Sequence, residues 1–387
     1  MSAPTLAPVT ADERFLLTAA LRPPGRGGGG ASGPRSGPAW NRRAWSGPAA
    51  AGALRLALAH DLLPALWWTE VARGTWTPLP SAALEAVTAR FADGSTQPAL
   101  LAQQAHRANQ ERVDDLVDQG EAVLGALADA GVASVPLKGL HALRAGWWPD
   151  PAARVMRYLD VLVAEADVEA AERVLDGLGY VAMASGHDDY GDHERPARHR
   201  PDRQGSVELH TALVVSRWRA VLGADEVLAA GSPMSTTDAV VHAIAHAQLH
   251  DEAHLLGRVP LRALHELAVL TAGPRGSEID WVQVRARFAR AGAHAALDAH
   301  LWLAGGLFDA QVPRPTRTLG PRLHGWWAEA LLAHPGWAPG YESAVFAPRA
   351  LSSDRMHGLH GPGPLWRLRG RHLAGALRRR LIRQPIN

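Results

Sequence analysis

Apolar residues recur at helical spacing through most of this chain, and the pattern breaks once, between residues 132 and 215. Inside the break the apolar runs are short: Val132 and Val135 ahead of Pro136, then Leu159, Val161 and Val163, then Val207 and Leu209, the last two runs alternating. Alternation of this kind is the mark of strands whose two faces meet different surroundings. The expected fold class is therefore α+β, a small mixed β-sheet core at 132–215 embedded in N- and C-terminal helical regions. The N-terminal helical region is 1–131 and the C-terminal one 216–310. Residues 311–387 form a Pro/Gly/Trp-rich segment with a basic, Arg-rich tail.

Punctuation residues place the elements. Thr10 and the acids behind it start a helix at 10–21 that Pro23 and Pro24 stop. Residues 25–38 read as a flexible Gly-rich loop. Helices follow at 48–72, divided by Pro64, at 82–91, and at 97–131, which Gly120 is expected to dent and Gly131 to end. In the core, strands are expected at 132–137, 156–163, 180–184 and 206–213, and helices at 139–145 and 167–177. The polar stretch 187–204 reads as an exposed loop. Helical periodicity returns at 238–254, 260–272, 280–291, 293–307 and 323–333, and the Trp residues on helices read as core.

Composition narrows the function classes. A net charge of +2 gives no global case for nucleic-acid binding, and the absence of cysteine excludes disulfides and thiolate metal sites. No apolar run is long enough for a membrane span. The N-terminus lacks a basic start and an apolar signal core, so the expectation is a soluble, cytoplasmic protein. Of the 40 Lys and Arg residues, Lys138 is the one lysine.

Parity along the strands brings chemistry to one face. Leu159, Val161 and Val163 share the core side of their strand, which leaves Tyr158 and Asp160 on the other. In the later strand Val207 and Leu209 point inward and Glu208 and His210 outward. If the two strands are neighbours, Asp160 and Glu208 converge, and two carboxylates make a hard oxygen site suited to Mg²⁺. Lys138 and Gly139 stand where a strand passes into a helix, a place that favours phosphate: Gly139 admits a close approach and Lys138 supplies a point charge.

Taken in order, Leu137-Lys138-Gly139, Pro149-Asp150-Pro151, Arg154, Asp160-Val-Leu-Val163, Gly179-Tyr180 and Val207-Glu-Leu-His210 resemble the uncharacterised bacterial nucleotidyltransferase family of the DNA polymerase beta superfamily. Outside the core, the Leu58-Ala59-His60 helix, His246, Arg262 to Glu266 and Asp280-Trp281 extend the resemblance to about residues 10–310. It implies a nucleotidyltransferase core that moves a nucleoside monophosphate from an NTP to a small-molecule or polymer-linked acceptor, with Mg²⁺ or Mn²⁺ as cofactor. Under it Lys138, Gly139 and Arg154 bind phosphate or orient the site. Asp160 and Glu208 are the metal-binding and catalytic acids, and Tyr158 and His210 support them. The family pattern expects Asp-x-Asp, and here Tyr158 holds the first position. A phenol keeps its proton at neutral pH and is a poor Mg²⁺ ligand. Three outcomes stay open: an enzyme working with one metal, recruitment of Asp188, Asp189 or Asp192, or a catalytically impaired module that binds nucleotide or a partner.

His242, His246, His250 and His254 recur every fourth residue, and such pairs can hold Zn²⁺. On a regular helix the stripe drifts and no third ligand follows, so packing is the preferred reading. The arginines of 365–384 carry no acid between them; they read as a solvated tail able to touch an anionic surface. No dedicated nucleic-acid motif is present.

Overall fold

The structure is a computed structural model, and it describes residues 10–23, 48–74, 98–183, 195–316, 319–350 and 363–367, with Trp76, Pro78 and Arg369. The expected loop at 25–38, the helix at 82–91 and most of the Arg-rich tail lie outside them. The chain divides into one unit spanning Val9–Ala333 and a second that includes His334–Asn387.

In the larger unit α1 (Ala11–Ala20) starts as its sequence demands. The Thr10 hydroxyl accepts from the Glu13 amide at 3.2 Å, and the Glu13 carboxylate accepts from the Thr10 amide at 2.7 Å. Helices α2 (Pro48–Ala59) and α3 (Leu63–Ala72) follow, then the 32-residue α4 (Pro98–Asp129). Gly120 does not dent α4. A side chain there would stand 2.8 Å from Leu140, so the glycine makes room for that packed leucine.

The sheet comprises β1 (Ser134–Pro136), β2 (Tyr158–Val163), β3 (Val181–Ala182), β4 (Arg198–His199) and β5 (Ser206–His210), in the order β1-β2-β5-β4-β3. β2 and β5 run parallel, and the other pairs are antiparallel. The stretch expected as an exposed loop at 187–204 thus contributes β4; residues 184–194 lie outside the described ones. Between the strands come α5 (Lys138–Arg144) and α6 (Val168–Gly177).

Both sheet faces are covered. Leu159, Val161, Val163, Val207 and Leu209 share a core with Val113, Leu116 and Val123 of α4 and with Val168, Ala171 and Leu175 of α6. Leu162 on the opposite face joins a second core built by the helices. The side expected to be open is therefore closed over Leu162 and His210; Asp160 and Tyr158 face a cleft there, and Glu208 is half-buried beside that cleft without lining it.

The helical layer holds α7 (Ala224–Ala230), α8 (Thr236–Ala245), α9 (Ala253–Leu256), α10 (Leu261–Ala272), α11 (Trp281–Arg290), α12 (His294–Phe308) and α13 (Leu319–Ala333). The single helix expected at 238–254 is broken: His246–His250 form a π-helical turn, and Glu252 takes φ +56° before α9 begins. In the smaller unit a 3₁₀ turn at Pro335–Trp337 leads into α14 (Ala338–Ala350), a helix that the Pro/Gly/Trp-rich composition concealed. Trp67, Trp76, Trp147 and Trp148 are core residues as expected, whereas Trp326, Trp337 and Trp366 are exposed. No helix among the described residues is long and apolar enough to cross a membrane.

Candidate functional site

β2 and β5 pair in register, with Asp160 opposite Glu208 and Leu162 opposite His210. The oxygens of both acids and an imidazole nitrogen of His210 lie within 4.8 Å of one another. Asp160 is buried, and its Oδ1 accepts from Lys138 Nζ at 2.8 Å and pairs with His210 Nε2 at 2.9 Å. His210 also stands 3.9 Å from Glu208 Oε2. Burial alone would raise the Asp160 carboxyl. The hydrogen bond from His210 and the charge of Lys138 outweigh it and hold the group far below the usual carboxylate range.

Backbone geometry delivers Lys138. The Leu137 amide donates to the Asp160 carbonyl at 2.9 Å, which fastens the end of β1 beside β2. The next residue, Lys138, takes φ +45°, a left-handed conformation that is unfavourable for a side-chain-bearing residue by roughly 1 kcal/mol. From that position its side chain reaches Asp160 Oδ1 at 2.8 Å.

Gly139 serves packing from the protein side. A side chain here would lie 2.4 Å from Arg154 Nη1 and 2.8 Å from Met156 Cγ. Arg154 is itself buried and paired, its Nη2 standing 3.1 Å from Glu266 Oε1 and 3.3 Å from Oε2. Arg262 donates to Glu266 at 3.1 Å and to the Val155 carbonyl at 2.9 Å. Burial pushes the Glu266 carboxyl up, but the charges of Arg154 and Arg262 prevail and lower it.

The segment ahead of Arg154 is tied to α4. Asp150 accepts from the Ala152 amide at 2.9 Å and pairs with His106 at 2.8 Å. The Asn109 amide donates to the carbonyls of Ala152 and Arg154, each at 2.8 Å. Pro149-Asp150-Pro151 is thus a clamped turn. Asn109 carried no signal of its own in the sequence, and the segment of Glu266 was marked only by the resemblance; that both fix Arg154 was hidden because the partners are 45 and 112 residues away.

Lys138, Gly139, Arg154, Tyr158 and Asp160 line one cleft of about 350 Å³. Its opposite wall comes from the helical layer and includes His242, His246 and Asp251, and Glu266 lines the floor beside Arg154. Tyr158 is 47 % exposed at the cleft. His242 is buried; burial drives its imidazole well below the usual range, and neighbouring His246, Lys138 and His210 add to this. Asp188, Asp189 and Asp192, the acids considered as replacements for the missing one, lie outside the described residues.

A family model described as uncharacterised nucleotidyltransferase matches residues 52–309, about two thirds of the chain. The chain belongs to this family. No curated protein and no solved structure matches it. The matched span contains the whole described sheet and every cleft residue named above.

The donor set bears on the divalent cation that such transferases use. Two carboxylates and an imidazole can close on one cation, because their ligand atoms already lie within 4.8 Å. That mixture suits Mn²⁺ at least as well as Mg²⁺, since imidazole is a softer ligand than carboxylate. Lys138 shares the Asp160 oxygen, so a cation and the ammonium would meet at one carboxylate.

Proposed function

We propose that the cleft binds an NTP and transfers its nucleoside monophosphate to an acceptor hydroxyl. The observation that carries this reading is the register pairing of Asp160 with Glu208 on parallel strands, with Lys138 Nζ 2.8 Å from Asp160 at the cleft wall. Asp160, Glu208 and His210 are the residues that would hold a divalent cation, Mg²⁺ or Mn²⁺. The chemistry supplied there is neutralisation of charge on the phosphate oxygens.

Lys138 pairs with a phosphate oxygen and holds the triphosphate against β2. Glu208, less buried than Asp160, accepts the proton of the attacking hydroxyl. The acceptor oxygen bonds to the α-phosphorus as the bond to the departing pyrophosphate breaks. Arg154 is held by Glu266 through Nη2 and packs against Gly139, which lets it orient the cleft floor, and its buried Nε keeps a donor without a protein partner among the described residues. His210 Nε2 pairs with Asp160 Oδ1 and helps keep that carboxylate ionised and aimed; joining the ligand set would require it to give up that hydrogen bond. The acceptor is a small molecule or a polymer-linked group.

Tyr158 favours a second reading, binding without transfer, because it occupies the cleft where the family pattern has an acid. Incubation with α-labelled NTPs and Mg²⁺ or Mn²⁺ separates the two. A working transferase yields labelled product that Asp160→Asn reduces by about 100-fold or more. If the parent is silent and Tyr158→Asp is active, the chain binds nucleotide without turning it over. Labelling that survives Asp160→Asn unchanged defeats the transfer reading.

A further inference from the structure

The far wall of the cleft carries a second cluster that the nucleotidyl chemistry does not use. His246, His250 and Asp251 each present a ligand atom, and these lie within 4.8 Å of one another. The two imidazole rings stack with centroids 4.4 Å apart and planes 13° from parallel. His246 Nδ1 is 3.2 Å from Asp251 Oδ2.

The π-helical turn creates this arrangement. On a regular helix Asp251 would stand about 140° round the axis from His246, on another face. Here the Asp251 amide closes a wide turn on the His246 carbonyl at 2.8 Å, which returns the acid to the histidine face. Gln248, buried inside the turn, pairs with His300 Nδ1 at 2.9 Å and fixes it to α12. Such single-turn widenings within α-helices recur at functional sites.

We propose that His246, His250 and Asp251 bind a divalent transition-metal ion of the Zn²⁺, Co²⁺ or Mn²⁺ class, at a site separate from Asp160. Two imidazoles and one carboxylate are the ligand set for these ions, and three protein ligands leave positions open to water or a ligand oxygen. His246 and Asp251 line the cleft, so the open positions face its interior. Lys138 acts on the Asp251 carboxyl from across the cleft. His242 lies between the two groups: its ring meets that of His246 edge-on at 6.0 Å, and it feels the charges of Asp160 and Lys138. The proposal requires no nucleotide and stands apart from the transfer reading.

The test uses the full chain, free of any affinity tag and stripped with chelator, titrated with Co²⁺ alone. Equilibrium dialysis gives the number bound, and visible absorption reports the ligand field. The parent should bind Co²⁺ at this site, and His246→Ala with His250→Ala should weaken it at least about tenfold. Asp251→Asn is the second arm; its side chain is 56 % exposed, so the substitution leaves the core untouched. It should also weaken binding, whereas Asp160→Asn should leave this site intact. A parent that binds no Co²⁺ overturns the proposal, as do cluster variants that bind like the parent. Loss of all Co²⁺ in Asp160→Asn also overturns it, because a single shared site would then be at work. NTP binding in Mg²⁺, measured on the same cluster variants, reports separately on the nucleotide cleft.

Discussion

Single residues set the character of the cleft through their partners. Lys138 accepts an unfavourable backbone conformation to reach Asp160, and Asp160 is buried yet stays ionised because Lys138 and His210 both face it. Arg154 and Glu266 form the other pair beneath the cleft. Removing one partner of such a pair leaves a buried charge uncompensated. Glu266→Gln should therefore destabilise the protein by about 3 kcal/mol in urea denaturation. A change below about 0.5 kcal/mol would show that the pair is solvated.

At the scale of elements, the core strands and most helices could be read from periodicity, because Leu159, Val161, Val163, Val207 and Leu209 alternate as a covered sheet face requires. Asp160 and Glu208 were legible for the same reason, since strand parity sends both to one face. Other features were hidden. β4 is two residues long and rich in charge, so it carries no apolar alternation. The π turn is tied to α12 by buried Gln248, whose partner His300 is 52 residues away. For that reason Asp251 could not be joined to the histidine stripe by counting. The clamp on 150–154 is likewise long-range, made by Asn109 from α4. Asn109→Ala should cost about 2 kcal/mol and free both carbonyls. Faster amide exchange through 152–157 is the accompanying readout, and unchanged exchange there would remove α4 from the support of the cleft.

Across the whole molecule, buried histidines tie stability to pH. His141 is lowered to about 4, by burial first and then by Arg275 and Arg144. Burial lowers His265 to about 4 and His300 to about 3. All three are neutral in the folded protein at pH 7, and each binds a proton near pH 6.5 once unfolded. The unfolded state thus takes up more protons between about pH 6.5 and 4, and folding stability falls as pH is lowered through that window. Each such histidine contributes a slope of about 1.4 kcal/mol per pH unit there. Urea midpoints should drop from pH 7 to pH 5, and His300→Gln should flatten the dependence. A midpoint that rises toward pH 5 would mean the histidines are charged in the fold. The two cleft walls belong to this larger design: β2 supplies Asp160 and α5 supplies Lys138, and the helical layer supplies His242, His246, Asp251 and Glu266.

The central claim is that this cleft is a nucleotide site whose phosphate contact is Lys138. The most direct measurement is a calorimetric titration of the full chain with each NTP in Mg²⁺ or Mn²⁺, on the parent and on Lys138→Met. The account predicts one NTP per chain, with affinity at least about tenfold weaker in Lys138→Met. Absence of heat with every NTP, or equal affinity in the two proteins, would contradict it.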